Sequence, residues 1–191
     1  MNMMSMSASN KRVVVIGGGA AGMMAAGCAA GHGAAVTLLE PNDRLGKKLL
    51  ITGKGRCNLT NNCSVNEVIS NIPNNGRFLF SALNAFTPDD TMLFFERIGV
   101  KLKTERGNRV FPVSDKAAEV VSALRKYIIA RGVSIVNEAV TDIDISEGRV
   151  MGVFTENTYA GCKNIIIATG GLSYPKTGST GDGYRFAKKA G

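Results

Sequence analysis

Six residues near the amino terminus have the composition and spacing to cradle a phosphate. Gly17-Gly18-Gly19-Ala20-Ala21-Gly22 has the form GxGxxG. A β-branched apolar run, 13–16, precedes it, and a stretch of small residues, 20–30, follows it. Gly17 permits a tight turn, Gly19 lets main chain approach a pyrophosphate, and Gly22 lets the helix pack on the strand. The helix start then offers free N–H groups and partial positive charge to the anion. Glu40 ends the next apolar run, where a carboxylate can accept both hydroxyls of an adenosine ribose and repel a 2′-phosphate. FAD or NAD is therefore expected and NADP disfavoured. The plainer reading of Glu40 is a solvated acid at a strand end.

A second motif separates FAD from NAD. Lys48-Leu49-Leu50-Ile51-Thr52-Gly53-Lys54-Gly55-Arg56-Cys57-Asn58-Leu59-Thr60-Asn61 mixes glycines, cations and amides. Gly53 and Gly55 allow backbone to approach a flat ligand, Lys48 and Arg56 can neutralise phosphate, and Asn58 can bond to a ring or ribityl edge. Composition alone also allows an ordinary basic surface loop. Cys57 beside Arg56 suggests a nucleophile, but the only histidine, His32, ends the first helix, so close packing is the better reading. A third motif runs Ile165-Ile166-Ile167-Ala168-Thr169-Gly170-Gly171, an apolar strand ending in small residues. It returns backbone to a crevice at the strands' carboxyl ends. Asp182, in the Gly181-Asp182-Gly183 element beyond it, is either a helix cap or a ligand.

The elements that position these motifs follow from periodicity. A strand at 13–16, a helix at 20–30 and a strand at 35–39 make one βαβ unit. Residues 42–62 show no clear period, and helical patterns follow at 65–71, 77–86 and 88–98. Thr87 is placed to cap the third of these, with Pro88 at its first position. Short strands are expected at 100–104 and 109–113, and Ser114 is placed to cap an amphipathic helix over 115–130. A strand at 133–137 leads into three segments, 139–145, 149–155 and 157–162, which read as an antiparallel meander. A strand at 164–168, a loop to Gly181 and a helix from near Gly183 complete the chain. The fold class is α/β, a Rossmann-type domain with a parallel central sheet and a small antiparallel meander.

Bulk properties exclude several classes. The net charge of +8 fits an anionic ligand, yet no run of lysines and arginines is longer than a pair such as Lys47-Lys48 or Lys188-Lys189, so no nucleic-acid patch is indicated and no DNA partner is expected. None of the four cysteines, Cys28, Cys57, Cys63 and Cys162, is spaced as CxxC, and a single histidine makes a metal centre unexpected. Reduced thiols in the cytoplasm are the default. Between Arg12 and Glu40 no side chain carries a full charge, a length that could span a bilayer. Its seven glycines and β-branched start read instead as strand, turn and helix. Residues 1–10 read as a disordered tail, and 11–191 as one domain.

Together these strings resemble the bacterial HI0933-like, or BaiN-like, group of NAD(P)/FAD-dependent oxidoreductases. The matching strings are GGGAAGMMAA at 17–26, KKLLITGKGRCNLTN at 47–61, GNRVFPVSDKA at 107–117 and ATGGLSYPKTGSTGDGY at 168–184. Lys54 is a small departure, since the resemblance predicts glycine there. The resemblance implies a glutathione-reductase-like FAD domain. Gly17, Gly19, Ala20, Ala21 and Gly22 would hold the pyrophosphate and Glu40 the ribose. Lys48, Gly53, Gly55, Arg56, Cys57 and Asn58 would follow the pyrophosphate, ribityl chain and flavin. Val140 would touch the adenine through its backbone, Ala168, Thr169 and Gly170 would form a turn at the cofactor, and Asp182 would lie near it. Members are about twice this long, so the chain reads as a truncated half lacking a substrate domain and a closing segment, and inactive alone.

The resemblance also implies flavin-mediated hydride transfer, with NADH or NADPH as electron donor and reduction of a carbon–carbon double bond. Members are linked to bile-acid dehydroxylation and to dihydrouridine formation in ribosomal RNA, leaving a small-molecule or an RNA substrate open. The alternative is a non-catalytic FAD- or NAD-binding module, RNA-associated or regulatory. A simple NAD dehydrogenase fits less well, because the 47–61 loop and the meander belong to no double Rossmann repeat. Tyr174 and Arg109 are polar groups near the expected flavin face; no catalytic acid, substrate or oligomeric state is assigned.

Overall fold

The structure is a computed structural model that describes residues 11–191; the tail expected over 1–10 lies outside the described residues. The described chain divides into two compact units. The first comprises the chain to Lys48 together with Leu124–Gly191, and the second is Leu49–Ala123, inserted between them.

The first unit is built on four parallel strands, β1 (Arg12–Ile16), β2 (Ala35–Leu39), β6 (Ser134–Val136) and β10 (Asn164–Ile167), in the order β10-β1-β2-β6. The chain moves outward from β1 through β2 to β6, then returns to the far side of β1 as β10. The order of strands therefore reverses at β1, and the carboxyl ends of β1 and β10 form the seam where ligands of such sheets bind. Helix α1 (Ala20–Gly31) connects β1 to β2. Apart from Met23 and Met24 its side chains are small, and Met23 and Ala26 are buried where it lies on β1 and β2. A bare Gly27 lets the Tyr127 ring of a neighbouring helix lie against α1, since a Cβ there would stand 2.0 Å from Cε1.

The other sheet face is covered by an antiparallel meander of β7 (Val140–Ser146), β8 (Arg149–Thr155) and β9 (Tyr159–Gly161). Alternation directs Val14, Ile16 and Leu39 to this face, where they join Ile143, Val153, Cys162 and Phe186 in one core. Phe186 comes from the last helix, α6 (Asp182–Ala190), and is 1% exposed. Arg185 donates to the Thr141 carbonyl at 2.9 Å and Lys189 pairs with Asp142, which ties α6 to β7.

The second unit holds a three-stranded antiparallel sheet, β3 (Thr60–Asn61), β5 (Arg109–Pro112) and β4 (Leu102–Glu105), in that order. Helices α2 (Val65–Ser70), α3 (Phe80–Ala85) and α4 (Pro88–Arg97) precede β4. The expected helix over 77–86 divides into a 3-10 turn, Gly76–Leu79, and α3. Thr87 caps α4 as expected, in a capping box with Asp90, with Pro88 at the first turn. Helix α5 (Ala117–Ile129) starts two residues later than the pattern suggests, because Asp115 takes a left-handed φ of 55° and its carboxylate is committed to an ion cluster. The division between units falls within α5.

Removing the Phe186 ring should open a cavity where α6 meets the meander and sheet. We expect Phe186→Ala to cost about 3–5 kcal/mol in chemical denaturation; a loss under about 1 kcal/mol would show that α6 is not part of this core.

Candidate functional site

The glycine loop leaves β1 at Ile16 and is held by main chain. Gly17 donates to the Leu39 carbonyl at 2.8 Å, and Ala168 donates to Ile16 at 2.8 Å, so the loop and the turn after β10 share one seam. Gly17 has φ 105°, and a Cβ there would lie 2.6 Å from the Ala168 carbonyl oxygen. A Cβ at Gly22 would lie 1.8 Å from the Gly17 oxygen. Both positions accept only glycine, for turn geometry and helix packing respectively. Gly19 differs: nothing lies within 4 Å of where its Cβ would be. It opens α1 without a side-chain cap, no acidic residue occupies the first turn, and Ala20 and Ala21 are exposed. Free N–H groups at a helix start with open space before them form an anion shelf.

Glu40 turns back onto this loop. It is 8% exposed. Its Oε2 accepts the Gly18 N–H at 2.6 Å, and its Oε1 accepts the Asn42 N–H at 2.9 Å and Asn42 Nδ2 at 2.6 Å. Gly18 is also close-set: a Cβ would stand 2.4 Å from Leu45 Cδ2, the movable end of that side chain, and 3.0 Å from Glu40 Cβ.

The turn after β10 completes the same end of the sheet. Gly170 has φ 76°, and a Cβ at Gly183 would lie 2.6 Å from Thr169 Oγ1. Ala168, Thr169 and Gly170 thus meet the start of α6 through small groups. Asp182 is the first residue of α6 rather than its cap, which is Gly181 in the left-handed region. Thr180 chiefly, and then Arg185, hold the Asp182 carboxyl below the usual range. Lys48 donates to the Ser173 carbonyl at 2.7 Å and to its hydroxyl at 3.2 Å, and stands 5.9 Å from the Tyr174 ring centroid. Its ammonium is thus engaged by the loop after β10. Val140 opens β7, pairs with Thr155 and packs against the core.

Within the second unit, Gly53–Asn58 is a strained loop. Lys54 and Cys57 are left-handed at φ 59° and 61°, beside Gly53 and Gly55 at 56° and 85°. Each non-glycine residue in that region costs roughly 1–2 kcal/mol, so neighbouring contacts must hold the loop. Asn58 does so with bonds from Nδ2 to Thr60 O at 2.8 Å and Val110 O at 3.1 Å. Cys57 is fully buried, with its N–H on Thr52 O at 3.0 Å. Burial pushes its thiol up, which fits packing and not nucleophilic chemistry. The Arg56 guanidinium lies 4.2 Å from the Phe111 ring centroid and is paired with Glu105 and Asp115. Lys103 pairs with the same two acids at 3.3 Å and 2.7 Å. Arg56, expected to neutralise phosphate, is thus already balanced by carboxylates.

A family model described as HI0933-like protein Rossmann domain matches residues 11–191. The chain belongs to the HI0933-like family. It is 32% identical over 158 residues to a 3-dehydro-bile acid delta(4,6)-reductase of Clostridium scindens, covering 83% of this chain and 38% of the relative. It is 31% identical over 164 residues to a ribosomal RNA dihydrouridine synthase of Haemophilus influenzae, covering 83% and 40%. The chain therefore spans about two-fifths of the length of these relatives. Among solved structures, the open conformation of a flavocytochrome c3 fumarate reductase superposes with a TM-score of 0.73 at 22% identity, over 95% of this chain and 40% of that one. A 3-ketosteroid-delta4-(5alpha)-dehydrogenase from Rhodococcus jostii superposes with a TM-score of 0.65 at 16% identity, over 91% and 49%. The fold is that of FAD-binding, Rossmann-type oxidoreductases.

Against this HI0933-like fold, sequence reasoning passed over Gly18, Asn42 and Asn137. The triple glycine signalled Gly18, and Asn42 lies two residues from its partner Glu40, but nothing local signalled Asn137, whose partners lie 97 and 95 residues away. No helix among the described residues is long and apolar enough to cross a membrane, and none of the described residues forms a cluster fit for a metal ion. A cleft of about 340 Å³, lined by Arg12, Val36, Ser134 and Tyr159 among others, opens at the amino-terminal ends of the parallel strands, opposite the glycine loop.

The ion cluster yields a pH prediction. Glu105 is held below its usual range chiefly by Arg56, and Asp115 by Lys103 and then Arg56. Depressed carboxyls add stability above their unfolded pKa values, about 4, and that stability is lost as pH falls through the folded values. Arg56→Met should therefore lose less stability than the parent between about pH 6 and pH 3. Parallel losses in urea midpoint would show that the cluster adds nothing.

Proposed function

We propose that this chain is the nucleotide-binding part of an FAD-dependent oxidoreductase that reduces a carbon–carbon double bond of its substrate. One observation supports the reading above the others. An uncapped helix start and a side-chain-free Gly19 face open space, with the buried Glu40 turned into the same loop. The residues fit an adenine dinucleotide. Gly19, Ala20 and Ala21 N–H groups would bind the pyrophosphate, Gly17 and Gly22 hold the shelf in shape, and Glu40 would receive the ribose. Ala168, Thr169 and Gly170 bound the shelf on the β10 side, and Val140 and Asp182 are proposed neighbours of the cofactor. For Lys48, Gly53, Gly55, Arg56, Cys57 and Asn58 the proposal rests on the motif. Bound FAD would supply hydride transfer, with NADH or NADPH as the external donor.

The reaction is proposed from two relatives, one a delta(4,6)-reductase and the other a dihydrouridine synthase. The reading common to both is hydrogenation of a carbon–carbon double bond, on a small molecule or on RNA. All four cysteines are free thiols, which fits the proposed cytoplasmic setting.

The test is FAD titration, followed by flavin fluorescence and absorbance. Gly19→Val should abolish saturable FAD binding, because its side chain fills the anion shelf. Glu40→Ala should weaken binding by about 1–3 kcal/mol, the scale of hydrogen bonds to a charged group. Unchanged affinity in Gly19→Val would place the pyrophosphate elsewhere and overturn the reading.

A further inference from the structure

A carboxylate offers about four acceptor positions, two on each oxygen. In Glu40, three are filled by this chain. Both positions on Oε1 are taken by Asn42, through its main-chain N–H and its Nδ2, and one on Oε2 is taken by Gly18 N–H. A single acceptor position remains, on Oε2.

Asn42 is fixed from every side. Lys47 Nζ, which can only donate, contacts Asn42 Oδ1 at 3.0 Å and so sets which way the amide faces. The second Nδ2 hydrogen reaches toward Thr177 O at 3.4 Å. Gly178, left-handed at φ 98°, makes room for it, since a Cβ there would lie 2.7 Å from Nδ2. Asn137 Nδ2 holds the backbone beneath, donating to Glu40 O at 2.8 Å and Asn42 O at 2.6 Å. Three segments of the first unit, after β2, β6 and β10, thus converge on Asn42.

We infer that Asn42 is a positioning residue that occupies Oε1 of Glu40 and leaves Oε2 to take one adenosine ribose hydroxyl and not both. This rests on the reading that Glu40 faces an adenosine ribose, and it narrows the earlier expectation that the carboxylate accepts both hydroxyls. Asn42 touches no ligand in this account; it acts through Glu40.

The test compares FAD with two analogues lacking either the 2′- or the 3′-hydroxyl of the adenosine ribose, titrated into the full chain. The parent protein should lose about tenfold or more in affinity for one analogue and stay within about twofold for the other. In Asn42→Ala the Oε1 position held by Nδ2 is released while the main-chain N–H keeps the other, and both analogues should bind more weakly than FAD. A purely structural role for Asn42 would lower all three affinities together and leave the ratios unchanged. Equal losses for both analogues in the parent would overturn the inference while leaving FAD binding intact. Absence of FAD binding in the parent would overturn the inference and the functional reading together.

Discussion

The first unit depends on main chain approaching main chain at the end of two strands. Where β1 gives way to the glycine loop, Gly17 lies against the Ala168 carbonyl, and Gly22 lies against Gly17 itself. No side chain fits between them. That closeness lets α1 begin directly above the strand ends with its first N–H groups uncovered, and it brings the turn after β10 to the same place. A methyl group at either position would force the helix away from the sheet. The core beneath follows from this seam, since Val14 and Ile16 can face the meander only if β1 stays in register with β2 and β10.

The polar groups around the seam are arranged with little slack. Glu40 is buried at low exposure, yet its oxygens are matched by Gly18 and Asn42, so its charge is compensated by dipoles, and no cation among the described residues is paired with it. Buried charges are tolerated only with such satisfaction. No buried side-chain polar atom among the described residues lacks a partner. In the second unit the same logic takes another form. A loop with left-handed Lys54 and Cys57 is clipped by Asn58 and by two cations interleaved with two acids. The net charge of that cluster is zero, so it can hold a backbone shape without presenting a strong field of its own.

The βαβ unit was legible because three independent cues agreed there: β-branched strands, glycine spacing and a terminal carboxylate. The meander was legible from the turn pairs Glu147-Gly148 and Glu156-Asn157 between its segments. What escaped was set by distance along the chain. Strand β3 is two residues long and exists because β5 pairs with it, some fifty positions later. The pairing of Arg56 with Glu105 and Asp115 was not legible, because those acids lie 49 and 59 residues away. The start of α5 was misplaced because Asp115 is drawn into that cluster in a left-handed conformation that a local helix pattern does not reveal. Glycines were partly readable: Gly17, Gly19 and Gly22 follow from the fingerprint, whereas Gly178 reflects a left-handed φ of 98° beside the Asn42 amide that no local pattern reveals.

The central claim is that bare main chain at the carboxyl ends of β1 and β10 receives a diphosphate. The most direct test is amide NMR of isotopically labelled protein during FAD addition. The account predicts that the largest and earliest shifts fall on the amides of Gly17–Gly22 and Ala168–Gly170, with Asn42 following. Shifts confined to residues around the opposite cleft, such as Arg12, Ser134 and Tyr159, with the glycine loop unmoved, would contradict it.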